Sequence, residues 1–230
     1  SWYRRQRQMC IRDSNTTGHQ NVALGANALD SNTSGSNNTA VGYLSLSSIT
    51  TGTQCVAVGM EALSNNTANN NTAVGFKAMI ATTTGDDNTA LGSQALETNT
   101  TGEYNTAVGH QALEANTSAN YNTAVGYQAL NDNTTGTQNV AIGANALDAA
   151  TTAPNNTAVG YAALGATTTG SRNTAVGNSA LLSNTTGVRN TAIGAEALDA
   201  LTTEGQNTAV GYRSLGSNTT GSLNTCLLYT

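Results

Sequence analysis

Charge, aromatic rings and proline are all scarce in this sequence. Charged residues make up 9% and aromatic residues 4% of the 230 residues, and there is one proline. So few aromatic side chains argue against an ordinary globular core, and no apolar run approaches the roughly 18 residues that a membrane-spanning helix needs. Disorder is also disfavoured, because Thr, Val and Ile are abundant. The composition therefore favours order that arises from repetition.

Residues that carry catalytic chemistry are equally few. The two histidines, His19 and His110, have no recurring carboxylate or nucleophile partner, so both are interpreted as surface residues. Cys55 is the only cysteine inside the regular part of the sequence, and one thiol cannot form an internal disulfide. It is interpreted as a tolerated small residue. We therefore predict a protein that is not an enzyme, with no catalytic residue, cofactor or metal site.

Glycine recurs at a fixed interval along the chain. Every step is 17 residues except the step from Gly59 to Gly75, which is 16. The unit is N-T-A-V-G-Y-x-A-L-x-x-N-T-T-G-x-x, and a unit this short cannot bury its apolar face alone, so successive copies must stack. The recurring glycines, predicted to form a structural turn ladder, are Gly25, Gly42, Gly59, Gly75, Gly92, Gly109, Gly126, Gly143, Gly160, Gly177, Gly194 and Gly211.

The apolar positions of the unit are confined to two short stretches. Counting columns from the first Asn, the third is Ala in all twelve copies, the fourth is aliphatic, the fifth is Gly and the eighth is Ala or Ser. The ninth column is predicted to be a buried core ladder, formed by Leu29, Leu46, Leu63, Met79, Leu96, Leu113, Leu130, Leu147, Leu164, Leu181, Leu198 and Leu215. Each stretch is bounded by Gly or by Asn and Thr, which predicts a strand, turn, strand, turn pattern.

The fold class predicted from these columns is all-β, a parallel β-solenoid of twelve coils. A helix is disfavoured because each unit holds glycine, β-branched residues and runs of Asn and Thr, without a 3.6-residue apolar stripe. Coils stacked at a strand spacing of about 4.8 Å would form a rod roughly 58 Å long. Asn and Thr repeated in register are expected to form hydrogen-bonded ladders at the turns, and the fifth-column Gly is expected to need a positive φ or a close backbone approach.

The two ends of the sequence do not follow the repeat. Residues 4–13 can be encoded by a nucleotide string that looks like a sequencing-library adapter, and residues 226–230 by the reverse complement of its end. We therefore expect residues 1–14 and 226–230 to be non-native scars on an internal fragment, with residues 15–225 forming a single solenoid domain. Without the scars, four Lys and Arg residues stand against twelve Asp and Glu residues. An acidic rod of this kind is not expected to bind nucleic acid.

Three surface features were weighed as candidate binding sites. Glu97 and Glu114 share the tenth column in adjacent coils and can either bind a cation or splay into solvent, and the second is favoured. A sixth-column aromatic set suits a sugar platform less well than packing or subunit contact, because its members come from non-adjacent coils. Asn-x-Thr triplets such as Asn99-Thr100-Thr101 and Asn133-Thr134-Thr135 match glycosylation sequons, but they recur because the turn recurs. The aromatic set is Tyr43, Phe76, Tyr127, Tyr161 and Tyr212.

The motif N-T-A-V-G-Y-x-A-L resembles the head repeat of trimeric autotransporter adhesins of the YadA type, whose coils carry an S/T-V-A-I-G core. It is also similar to repeats of tail-fibre-like proteins that end in a chaperone domain. The resemblance covers Asn15 to Thr225, although the head repeats of that family are usually shorter. It implies a left-handed β-roll, a homotrimer and adhesion to a host or environmental surface.

Three functions remain open at this point. The favoured one is a non-enzymatic, extracellular repeat from a cell-surface adhesin or fibre, anchored in an outer membrane by other parts of the full-length protein, with no membrane contact within this fragment. A tail fibre of a virion is the second. An ice-binding solenoid is the third, disfavoured because adjacent residues such as Thr134 and Thr135 would point to opposite sides of a strand.

Overall fold

The computed structural model describes residues 14–228, and the described chain is a parallel β-solenoid. Every strand is three residues long and pairs in parallel with the strand one coil before and one coil after it, so a single sheet runs the length of the molecule in sequence order. The predicted fold class is confirmed. The thirteen strands are β1 Val22–Leu24, β2 Thr39–Val41, β3 Val56–Val58, β4 Thr72–Val74, β5 Thr89–Leu91, β6 Thr106–Val108, β7 Thr123–Val125, β8 Val140–Ile142, β9 Thr157–Val159, β10 Thr174–Val176, β11 Thr191–Ile193, β12 Thr208–Val210 and β13 Thr225–Leu227.

The register pairs each residue with its own counterpart in the next coil. Ala107 of β6 lies opposite Ala124 of β7, and Thr106 and Val108 pair with Thr123 and Val125. Because side chains alternate across a strand, the third column points inward and is fully buried from β2 to β12, whereas the second and fourth columns point outward. We number the coils from 1, which starts at Asn21, to 12, which starts at Asn207.

The second apolar stretch of each coil is buried but is not a strand. Columns six to eleven form a continuous turn, so the predicted second strand per coil is wrong. Residues of columns seven and nine have positive φ, as at Gln128 (52°) and Leu130 (55°). Their N–H groups therefore point in opposite directions along the rod: Gln128 donates to His110 of the preceding coil at 3.0 Å, and Leu130 to Ala146 of the following coil at 2.9 Å. These hydrogen bonds replace those of a second sheet.

The interior is thin and consists of small apolar residues and asparagine. Ala124, Ala129 and Leu130 are fully buried in coil 7, and the ninth column is buried in every coil except at Leu215, which is partly buried. A coil with so little apolar volume depends on its polar ladders, because each buried amide must be hydrogen-bonded.

The first-column asparagines form one such ladder. The Asn105 side chain accepts the backbone N–H of Asn122 at 3.0 Å and donates through Nδ2 to the carbonyl of Ala119 at 2.8 Å and to Oδ1 of Asn88 at 3.1 Å. The same carbonyl of Ala119 accepts from Asn116 of the twelfth column at 3.2 Å. Two buried asparagine columns thus converge on one backbone turn, which confirms the predicted ladders.

Interruptions of the twelfth-column ladder explain three buried oxygens that lack a partner. The Oδ1 atoms of Asn32, Asn133 and Asn184 accept no hydrogen bond within residues 14–228. In each case the next coil carries an apolar residue in that column, namely Ile49, Ala150 and Leu201. Where the next residue is another asparagine, the bond is made, as from Asn116 Nδ2 to Asn99 Oδ1 at 2.8 Å.

The irregular coil 3 preserves the register of the rod. Val56–Val58 pairs with Thr72–Val74 without a break, as expected for a deletion in the surface turn after Thr67. Ala68 is 5% exposed, and its carbonyl accepts from Asn66 Nδ2 at 3.1 Å, as the fifteenth-column carbonyl does elsewhere. The missing residue is therefore the outward-facing one of the fourteenth column.

The fifth-column glycines lie at the closest backbone approach between coils. Their φ angles range from 122° to 142°, a region that other residues rarely adopt. A Cβ on Gly126 would lie 2.6 Å from the carbonyl carbon of Gly143. The turn and the coil spacing therefore both require glycine here.

The predicted scars fall partly outside the described residues. Residues 1–13 and 229–230 are not described, so the proposed boundaries at 14 and 226 remain predictions. Cys226 lies in the alanine column of β13, opposite Ala209.

Candidate functional site

One face of the rod is uncharged and uncovered, with a column of mostly Thr beside a column of aliphatic residues. It consists of the outward side chains of columns two and four, and we call it the T-A-V face. Its fourth column is Val, Leu or Ile throughout, and several of these side chains are strongly exposed, including Leu91 at 48% and Ile142 at 40%. Neither column contains a charged residue in β1–β13. The aliphatic column is continuous along the whole rod and makes this face a candidate interaction surface.

The sixth column forms a row of exposed rings beside this face, beyond the Gly turn. All five aromatic residues predicted for it are exposed. The sequence interpretation missed a sixth ring, His110, which stacks on Tyr127 of the next coil with centroids 5.7 Å apart and an interplanar angle of 11°. The prediction that only non-adjacent coils contribute rings to this column was therefore wrong.

A second aromatic pair lies at another corner of the coil. Tyr104 and Tyr121 occupy the seventeenth column of coils 5 and 6, and their rings are parallel with centroids 5.1 Å apart. The carboxylates of Asp87 and Glu103 raise the pKa of Tyr104. This pair was also missed, because the seventeenth column varies from coil to coil and resembles an unstructured turn in the sequence. The facing sides of the two rings cover each other, and both residues stay about half exposed, at 48% and 57%.

A network of amides and carboxylates covers columns seven and ten in coils 5 to 8. Gln94 donates to Glu97 at 2.8 Å, and Asn131 donates to Glu114 at 2.9 Å. Glu97 and Glu114, for which exposure to solvent was favoured over a shared cation, therefore each accept from an amide. No group of three metal-binding side chains occurs anywhere in residues 14–228.

The same network continues into coils 7 and 8. Gln128 donates to Gln111 at 3.1 Å, and Asn145 donates to Oδ2 of Asp148 at 3.3 Å. Partial burial raises the pKa of the Asp148 carboxyl, and the hydrogen bond from Asn145 opposes that shift. Gln128 directly follows Tyr127, so planar groups that can each bind a hydroxyl are held in place in the column beside the rings.

The sequons singled out in the sequence are inaccessible in the folded rod. Asn99 and Asn133 are fully buried in the twelfth-column ladder. An attached glycan would have to displace hydrogen bonds such as that from Asn99 Nδ2 to the carbonyl of Gly102 at 3.0 Å. The side chains of Asn99 and Asn133 stabilise the turn by donating to the carbonyls of Gly102 and Gly136.

The thirteenth-column threonines form the predicted ladder. The hydroxyl of Thr134 donates to the carbonyl of Thr151 at 3.0 Å, and the same contact recurs along the rod. Thr134 and Thr135 do not lie in a strand, and Thr134 is half-buried while Thr135 is exposed. The reason given against ice binding, that such a pair would point to opposite sides of a strand, is therefore wrong.

Cys55 is fully buried in the first column. Its thiol contacts the carbonyl of Ala68 at 3.4 Å, and burial raises its pKa. A buried thiol with a raised pKa is a weak nucleophile, in agreement with its interpretation as a tolerated small residue.

Comparison with known proteins adds no assignment. No protein-family model matches the chain, and no curated protein or solved structure gives a significant match. The part of the chain that the structure describes contains no helix with the length and hydropathy needed to cross a membrane.

Proposed function

We propose that this chain is a non-enzymatic rod from an extracellular adhesin or fibre, in which copies associate through their T-A-V faces as a homotrimer. The observation that carries the proposal is the uncharged T-A-V face with its unbroken column of aliphatic side chains, which extends over all thirteen strands and which a single chain leaves partly open to water. Burying the fourth-column side chains between copies would favour assembly in proportion to the apolar area removed from water, roughly 25 cal/mol per Å².

The partner that best matches this face is another copy of the same chain. The outward side chains of the fourth column repeat once per coil along the whole rod, and only a surface with the same period stays in register with them from end to end. Closed symmetric assembly of identical faces is the usual outcome for such chains. The number three follows from the resemblance to YadA-type head repeats, as does the placement on a cell surface.

Sedimentation analysis of the chain tests the assembly. We expect a particle of three times the chain mass of 23.3 kDa. The double variant Val125→Lys, Val159→Lys places two charges on the T-A-V face and is expected to dissociate the particle into folded monomers. The matched control Thr135→Lys, Thr169→Lys changes two exposed residues of the fourteenth column and should leave the mass unchanged. A wild-type monomer at high concentration would contradict the proposal.

The tail-fibre alternative shares this assembly. It is distinguished by the rest of the gene, since a chaperone domain after the repeats indicates a tail fibre and a membrane barrel indicates an adhesin.

The ice-binding alternative gains one specific observation. On the T-A-V face, Thr of column two and Val of column four alternate on the same side of a regular sheet, as at Thr123 and Val125. Such a face is ordered in two directions, at the coil spacing and at the two-residue strand repeat. A wild-type monomer that also shows thermal hysteresis would favour ice binding over the adhesin.

A further inference from the structure

The row of sixth-column rings has a gap in coil 8. Tyr127 in coil 7 and Tyr161 in coil 9 are 52% and 56% exposed, and the residue between them is Ala144. Backbone hydrogen bonds fix this arrangement, because Asn145 donates to the carbonyl of Tyr127 and Ala162 to the carbonyl of Ala144, both at 3.0 Å. We call the space above Ala144 the Tyr127 slot.

The gap between the rings of Tyr127 and Tyr161 is wide enough for one further ring. Two coil spacings of about 4.8 Å separate Tyr127 and Tyr161 by about 9.6 Å, and stacked rings lie roughly 4.5–7 Å apart. One face of Tyr127 is taken by His110. The opposite face is turned toward the coil where the side chain is only a methyl group, so it is free to stack on a ligand.

The wall of the slot is polar, and its floor is formed by small residues. Asn145 and Asp148 of coil 8 lie beside it, held by the hydrogen bond between them. In coil 9 the seventh and tenth columns are the small residues Ala162 and Gly165. A Cβ on Gly165 would lie 3.4 Å from Oδ1 of Asp148 and 3.3 Å from Cδ1 of Leu182, so the side chain of Leu182 in coil 10 lies beside the carboxylate there.

We propose that the Tyr127 slot binds one pyranose ring of a neutral glycan. A sugar ring has apolar C–H faces that stack on aromatic rings and equatorial hydroxyls that pair with amides and carboxylates, so it matches both the rings and the polar wall. Coils 5 to 8 contain no Lys or Arg but several carboxylates, including Glu114 and Asp148. Sialylated, sulfated and phosphorylated ligands are therefore disfavoured by charge.

The inference rests on the proposed function, because it names the ligand class of the adhesin. The slot lies on columns six to ten and the T-A-V face on columns two and four, so substitutions can change one without changing the residues of the other.

The test is a glycan microarray probed with the purified chain, followed by calorimetric titration of the strongest neutral oligosaccharide on the array. The decisive variant is Ala144→Tyr, which fills the slot with a residue that the same column already carries at Tyr127 and Tyr161. It should fold, keep the assembly state of the wild type and lose at least about tenfold in affinity. The variant Tyr127→Ala should lose roughly 2- to 13-fold in affinity, because it removes one of the two stacking faces.

The matched control is Ala195→Tyr. Ala195 also occupies the sixth column, but its neighbours there are Asn178 and Tyr212, so no pair of rings flanks it. This variant should bind as the wild type does.

Three outcomes would overturn the proposal: no binding to any neutral glycan, binding only to anionic glycans, or neutral-glycan binding that Ala144→Tyr leaves intact. Preferential binding of choline in the titration would also overturn it and would assign the rings and carboxylates to a cation. Measuring sedimentation on the same samples separates these results from a failure of the trimer.

Discussion

Replacing Asn105 tests whether the buried asparagine ladder holds the coils together. Asn105 is 1% exposed and makes three side-chain hydrogen bonds, to the N–H of Asn122, the carbonyl of Ala119 and the side chain of Asn88. In Asn105→Ala the carbonyl of Ala119 keeps its bond from Asn116, but the buried N–H of Asn122 has no acceptor left. An orphaned buried donor costs about 1–3 kcal/mol and each lost bond about 1 kcal/mol, so we expect a loss of about 2–4 kcal/mol.

The isosteric variant Asn105→Asp adds a pH dependence that a simple loss of volume would not produce. A protonated Asp at this position can accept from Asn122 and donate to Ala119, whereas a carboxylate would be buried and would face two oxygen acceptors. Burial and those acceptors raise its pKa in the folded state above the usual value of about 3.9. The stability of Asn105→Asp should therefore be close to that of the wild type below about pH 4 and should fall as the pH rises toward the folded-state pKa.

Urea denaturation from pH 3 to pH 8, with hydrogen exchange of the Asn122 amide as a local probe, measures both effects. Asn178→Asp is the matched control, because Asn178 is exposed in the sixth column and should show no such pH dependence. A loss below about 0.5 kcal/mol for Asn105→Ala, or a flat pH profile for Asn105→Asp, would refute the view that this ladder stabilises the rod.

Substitutions at three further positions are tested by denaturation. Leu130→Ala should cost about 2–5 kcal/mol because Leu130 is fully buried. Leu130→Met should be tolerated, since Met79 occupies the same column. A loss under about 1 kcal/mol for Leu130→Ala would place this side chain outside the core. Gly126→Ala should destabilise strongly, because its Cβ would lie 2.6 Å from Gly143 backbone atoms, and unchanged thermal unfolding would contradict that contact. Cys55→Asn should stabilise by about 1 kcal/mol by completing the first-column ladder, and Cys55→Ala, which adds no hydrogen bond, should not.

The sequence was sufficient to predict the stacking and the column roles. A strict repeat with Ala, an aliphatic residue and Gly in fixed columns leaves few arrangements other than coils stacked in register, and the side of the strand that faces inward follows from alternation. The turn conformation of the Ala-Leu stretch was not predictable in this way. A short apolar run does not reveal its backbone conformation, and a positive φ at Leu130 is not favoured by leucine itself. The turn conformation is stabilised by hydrogen bonds to both neighbouring coils, and these bonds form only when the coils stack.

The candidate sites were predictable only in part. The sixth-column tyrosines were visible because they recur, but His110 was set aside as an isolated histidine. The slot above Ala144 is formed where the sixth column lacks an aromatic side chain. A small residue between two rings cannot be recognised from a single repeat unit. Its polar wall likewise comes from Asn145 and Asp148, three residues apart within one turn, and their hydrogen bond becomes apparent only in the folded coil.

The hydrogen bonds between coils have a mechanical consequence. They run along the rod in the strands and in the turns alike, from β6 to β7 as from Leu130 to Ala146. A force applied to the two ends therefore loads the coils in series, and each coil that detaches releases 17 residues of chain. Fully extended, that segment spans about 58 Å in place of a coil spacing of about 4.8 Å. Under tension the rod would lengthen in regular steps of about 53 Å, and each detaching coil would dissipate part of the applied mechanical work.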